Sequence, residues 1–191
     1  VATLNTHAHL PVLTVLGSEG LIGDGIFVLT RTATGVRAEK KLPGGLRVIK
    51  EFHPSTNYLL HATVRWENTT SNAITLPAQE WVVGTATPMG AYDDGTAVGL
   101  MWYDGNKTHD TTTAYFSDKK FGCMPTTPKA EYRDGASNIV WVAAHNQFFA
   151  MVAMLEKPAI QVAARPVKLP RPTEGYFSGA DSPERKGMET T

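Results

Sequence analysis

The sequence predicts an all-β protein. Short runs of alternating apolar residues recur along the chain, and Gly, Pro, Asn or Asp bounds them. No long window carries apolar residues at helical spacing with caps at both ends. Many strands of this kind with Gly and Pro at the turns pack as a sandwich or a barrel, and a sandwich of mainly antiparallel strands is preferred.

Residues 46–51 place Leu46, Val48 and Lys50 on one face. Residues 58–67 alternate most clearly, with Tyr58, Leu60, Ala62, Val64 and Trp66 on one side and Leu59, His61, Thr63 and Arg65 on the other. That is the pattern of a sheet with one face on the core. The polar run 67–72 predicts a turn, because Asn and Ser side chains bond the local backbone. Residues 73–76 resume as a strand limited by Pro77, and 80–87 form another around Trp81, Val82 and Val83. Together these segments predict an antiparallel meander.

Residues 97–103 are a further strand. Asp104-Gly105 follows as a tight-turn signal, since glycine accepts positive φ. The Thr-rich stretch 106–118 predicts an exposed loop with an edge strand, and Pro125 and Pro128 argue against a central strand in 121–133. Residues 139–144 and 148–155 are the strongest core strands. The Ala, Met and Leu content of 145–154 suits a helix, but Phe148-Phe149 and the flanking strands favour β. Strands at 160–164 and 167–169 are separated by Pro166, and 170–191 is rich in Pro, Gly and charge. No linker-like change of composition precedes Pro170, so one domain over residues 1–191 is expected.

Eighteen basic residues balance eighteen acidic ones. The densest basic spots, Lys40-Lys41 and Lys119-Lys120, are too short to track a phosphate backbone, which argues against nucleic-acid binding. Cys123 stands alone and forms no internal disulfide. With no helix N-terminus or adjacent His to activate it, it reads as a buried, inert thiol. The most apolar stretch, 139–155, is interrupted by His145, Asn146 and Gln147 and falls short of the roughly twenty residues of a membrane span. No signal peptide begins at Val1, and the chain reads as a piece of a longer protein.

His7 and His9, two apart, would share one face of a strand and could reach one ion. A complete site needs another ligand, and no spacing ties Asp24, His53, His61 or His109 to the pair, so two exposed histidines near a chain end is the simpler reading. His145 closes an aromatic, apolar stretch, where a hydrogen-bonded core or rim histidine is the usual occupant. Asp93-Asp94-Gly95 and Asp104-Gly105 lack the ligand count of a calcium loop and read as turns. The glycines at 17–20 and 23–25 lack the lysine and helix of a phosphate loop. Asn68 and Asn106 open glycosylation acceptor patterns, which matter only in a eukaryotic secretory chain. Trp66, Trp81, Trp102 and Trp141 fall on four strands. Filling the core is the plain reading, and an aromatic-lined cleft for a peptide or sugar is the sharper one. No residue set on the sequence makes an active site, so no catalytic, metal or cofactor residue is assigned.

Two segments carry a resemblance. Residues 42–52 end a strand in Lys50 and Phe52, and residues 58–68 follow as a Tyr-led alternating strand through Tyr58, Leu60 and Ala62 to Asn68. Residues 138–150 run a Trp141-to-Ala143 strand into Gln147, Phe148 and Phe149. In this order they resemble the large periplasmic domain of the bacterial membrane-protein insertase family YidC, over roughly residues 26–155. The resemblance implies a β-supersandwich similar to galactose mutarotase-like sandwiches, on the periplasmic side of the bacterial inner membrane. It implies a noncatalytic domain involved in insertion and folding of inner-membrane proteins. Its partners would be Sec translocon components such as SecDF and nascent membrane proteins. The family's insertion groove lies in its membrane region, onto which no residue here maps. The family domain is also longer, with closing strands and a C-terminal helix that this chain does not match. The alternatives are a carbohydrate-binding sandwich that stacks Trp66, Trp81 or Trp102 on sugar rings from an exposed face, or an aldose-epimerase-like enzyme pairing His61 or His145 with Glu80 or Glu131.

Overall fold

The computed structural model describes residues 10–17, 21, 25–117, 120–121, 124–125, 127–172, 175, 178–179 and 184–191. His7, His9, Asp24 and Cys123 lie outside the described residues, as does most of the glycine-rich stretch 17–25. The structure is all-β, with antiparallel sheets packed as a β-sandwich. Its described residues divide into two compact units. The small unit is Val15–Glu80, and the large unit is Trp81–Thr191 with the segment ending at Thr14.

β1 (Val15–Leu16) and β6 (Glu80–Trp81) form a two-stranded sheet. Between them in the chain, the small unit holds β2 (Val28–Arg31), β3 (Val36–Lys41), β4 (Leu46–Pro54) and β5 (Leu60–Asn68). These four form one antiparallel meander in sequence order, as hairpins joined by short turns must. Alternation sorts its side chains. Ala38, Leu46 and Val48 are buried on one face, while Arg37, Glu39, Arg47, Glu51, Arg65 and Glu67 form a ladder of ion pairs on the other. Lys40 and Lys50 share the apolar face, where both ammonium groups lie over the Phe27 ring at 5.5 and 4.8 Å.

Tyr58 does not start the next strand. The register pairs Pro54 with Leu60, so residues 55–59 must reverse direction. Asn57 and Tyr58 do so with φ of 60° and 61°, leaving Tyr58 fully exposed at the tip. Residues 73–76, expected as a strand, make no ladder. The turn before them is as expected: the Asn68 carboxamide accepts from Thr70 N–H at 2.9 Å and donates to Asn72 O at 2.6 Å.

The large unit continues with β7 (Gly84–Ala86), β8 (Gly99–Tyr103) and β9 (Thr108–Thr112). A 3₁₀ turn at Thr113–Phe116 precedes the short pair β10 (Lys120–Phe121) and β11 (Met124–Pro125). Then come β12 (Tyr132–Asp134), β13 (Ile139–His145), β14 (Ala150–Ala159), β15 (Val162–Lys168) and β16 (Lys186–Thr190). One sheet has the order β14-β13-β8-β9 and the other β12-β15-β16-β7. Their inner faces supply one core, with Leu100, Trp102, Val142 and Ala144 from the first and Ala86, Val162, Ala164 and Met188 from the second.

Pro166 does not divide two strands; it lies within β15. Ala163 and Thr191 exchange both backbone hydrogen bonds, so residues 165 and 167 also face β16. Pro166 therefore turns its nitrogen to the other side, where the β12 pairing has ended at Ala164. Residues 148–155 also shift. Asn146 Oδ1 accepts the N–H of Phe148 and of Phe149, each at 3.0 Å, so both rings sit in the turn and β14 begins at Ala150. The region 145–154 is β and not helical, and β9 and β12 are edge strands among the described strands.

Candidate functional site

The inner face of the large unit holds a polar chain. The β8–β9 hairpin turns at Gly105, with φ of 89°, and puts His109 directly opposite Trp102. The two rings stack at 3.9 Å with a 6° tilt. His109 Nε2 donates to Asp104 Oδ2 at 2.8 Å, while Asp104 Oδ1 accepts the N–H of Asn106 and Lys107 at 2.8 and 2.7 Å. The His109 bond, then those two amides, hold the Asp104 carboxyl well below its ordinary range. Trp102 Nε1 donates to the Tyr132 hydroxyl at 3.3 Å, which donates to Asp134 at 3.0 Å. Burial is the main cause that raises the Tyr132 hydroxyl. Trp102 is 2% exposed. The Trp102–Tyr132 bond thus joins β8 of one sheet to β12 of the other.

His145 lies on the opposite face. It ends β13, in register with Gly99 of β8. A Cβ on Gly99 would stand 2.7 Å from His145 Nε2 and from Thr111 O, so glycine is what lets the ring lie across that position. Nε2 is 3.4 Å from Asp110 Oδ1 and makes no hydrogen bond. This is an imidazole–carboxylate pair at the rim of a sheet. Glu131 belongs to Arg133 and Arg165; the Arg133 bond first, then the Arg165 charge, lower its carboxyl. His61 is in register with His53 in the small unit, and Thr34 Oγ1 meets His53 Nδ1 at 3.0 Å. Within the large unit, His145 and Glu131 thus have separate partners.

The acidic turns are spent locally. Asp93 accepts from Met89 and Gly95 N–H, each at 2.8 Å, and Asp94 from Thr96 N–H at 2.9 Å. Among the described residues no three His, Cys, Asp or Glu groups gather as metal ligands. Of the four tryptophans only Trp102 is fully buried, stacked under His109, so it offers no face to a sugar; Trp66 donates to Gln79 Oε1 at 3.1 Å, and Trp141 stacks on Tyr103 at 6.1 Å.

A different surface is open. β14 is an edge strand, paired with β13 alone among the described strands. Register sets Met154, Trp141 and Tyr103 in one row across the outer face, with Val152, Ala143 and Met101 beside it. Met154 is 80% exposed and Val152 47%, and Phe148, Phe149 and Ile160 are exposed nearby. An apolar edge with free backbone groups is a template for a further strand. Periodicity marks these residues as core. It does not show the exposure, because a buried strand and an exposed apolar edge strand use the same residue types.

No protein family, curated protein or solved structure matches the chain.

Proposed function

We propose that the chain is a noncatalytic periplasmic domain of a YidC-like membrane-protein insertase, and that extended segments of partner or substrate proteins add to the β14 edge. The domain would work on the periplasmic side of the bacterial inner membrane. Its partners would be Sec translocon components such as SecDF and nascent membrane proteins. The observation that carries the binding mode is the open apolar edge of β14 beside the Met154–Trp141–Tyr103 row. Backbone pairing there supplies affinity and the alternate side chains supply selectivity. The insertase reading rests on its two motifs, and each is one hairpin: Lys50, Phe52, Leu60 and Ala62 in β4–β5, and Trp141, Ala143 and Phe148 in β13–β14.

Two experiments test this. The gene sequence on both sides of the chain should encode one hydrophobic helix upstream and several downstream; flanks without them overturn the insertase reading. A photo-crosslinker at Val152 or Met154 in cells should capture nascent membrane proteins or translocon subunits, while one at Arg65 should not. Equal capture at both positions overturns the edge. The half-buried Trp141–Tyr103 stack on the outer face favours carbohydrate binding as the second reading. Sugar-dependent quenching of tryptophan emission that Trp141→Ala removes would select it.

A further inference from the structure

The Asn146 amide donates to the Phe149 carbonyl at 2.9 Å, and this bond fixes the phase of the β13–β14 ladder. Met151 and Ala153 therefore turn their backbone groups toward β13, while Ala150, Val152 and Met154 turn theirs outward. The register shift between Ile139 and Trp141 ends the regular run at Met154, so the usable edge is Ala150 to Met154. That run holds no charge, glycine or proline, the devices that keep sheet edges apart. By contrast β9, β12, β2 and β5, also edges among the described strands, carry Asp110, Arg133 and Asp134, Arg31, and Arg65 and Glu67.

We infer that this edge pairs antiparallel with the same edge of a second copy, about a two-fold axis through Val152. Such an axis stands perpendicular to the sheet, so it keeps both outer faces on one side and pairs residues that face alike. Of the registers this allows, only the one centred on Val152 uses all three outward residues. Ala150 then meets Met154, Val152 meets Val152, and Met154 meets Ala150 of the second copy. Every outward N–H and C=O of the run finds a partner, and each large Met154 lies against a small Ala150. Glu156 and Lys157 lie beyond the run, away from their own mates, so no like charges are opposed. The pairing joins two β14-β13-β8-β9 sheets into one and continues the apolar Met154–Trp141–Tyr103 row across the axis. It rests on the open β14 edge proposed above as a binding surface and adds the regulation of that edge. Self-pairing hides it, and a partner segment has to displace the second copy.

The test is sedimentation equilibrium of the full chain over a concentration series, joined to cysteine crosslinking in a Cys123→Ser background. The chain should pass from monomer to dimer as concentration rises. Val152→Cys should crosslink to its mate with a short bismaleimide, because the two Cα atoms stand about 5.5 Å apart across the axis. Met154→Cys alone should not, because its mate lies about 14 Å away along the strand. A mixture of Ala150→Cys and Met154→Cys chains should crosslink again. Val152→Lys sets two ammonium groups on the axis and should weaken association about fivefold. Val152 is 47% exposed, so circular dichroism should show that variant folded like the wild type. A chain that stays monomeric at every concentration overturns the inference, as does a dimer in which Met154→Cys crosslinks as well as Val152→Cys. A monomer that still captures partners from Val152 in cells sinks self-pairing and leaves the edge as a binding surface. A dimer with the expected crosslinks and no capture in cells does the reverse.

Discussion

Asp104 ties three local donors together at the tip of the β8–β9 hairpin, and its chemistry is testable by acid. Its carboxyl is held below the ordinary 3.8, so the folded state binds that proton more weakly than the unfolded chain does. The resulting stability is fully present above 3.8 and is lost as pH falls toward the folded value. Urea midpoints should therefore decline in acid, and Asp104→Asn should lower the neutral midpoint and flatten that acid slope. An unchanged slope would show that the His109 and amide bonds add nothing to stability. Gly99 makes a second test. A methyl group there meets the Thr111 carbonyl and the His145 ring at 2.7 Å, so Gly99→Ala should destabilise the fold by about 1–3 kcal/mol in urea titration. The turn at Asp104-Gly105 was legible in the sequence because turn chemistry is local. The role of His109 was not, since only the hairpin register sets it on Trp102 and beside Asp104.

Strands show the same division one level up. β13 was legible because Val142, Ala143 and Ala144 are all buried, and a near-continuous apolar run says as much. β14 was legible as a strand but not as an edge. Val152→Lys and Met154→Lys should change stability by no more than about 0.5 kcal/mol, because exposed positions tolerate substitution. Each should abolish photo-crosslinking from the other of the two positions if partners dock there. β16 was not legible at all: Lys-Gly-Met-Glu-Thr has no strand pattern, yet it lies between β15 and β7 with Met188 completely buried. Met188→Ala should cost about 2–5 kcal/mol by chemical denaturation, the range for a large-to-small change in a packed core. A cost below about 1 kcal/mol would mean that the site collapses around the smaller side chain.

Over the whole chain, the large unit depends on pairings between distant residues. Met188 pairs with Ala86, and Ala164 with Thr190, so the second sheet is complete only when the last strand docks. Ending the chain at Lys168 removes β16 and leaves β7 and β15 with no strand between them. That truncation should abolish the near-ultraviolet circular dichroism of the buried Trp102 and the cooperative unfolding of the large unit. Retention of both would mean that β12–β15 packs without the strand that joins it to β7. Such long-range closure also predicts slow folding, because the loop entropy is lost before the pairing stabilises the sheet.

What the sequence determined by itself is the all-β class, most of the strands expected at 46–51, 58–67, 139–144 and 148–155, and the turns at 67–72 and 104–105, because alternation and turn chemistry act over neighbouring residues. It also carried the two motifs on which the insertase reading rests. The tertiary structure alone decided which strand lies at an edge and which at a centre, which tryptophan is sealed in the core, and which histidine meets which carboxylate. The physical reason is common to all three: burial and register are set by a partner strand that can come from anywhere in the chain. A residue's own neighbours do not record whether that partner is there.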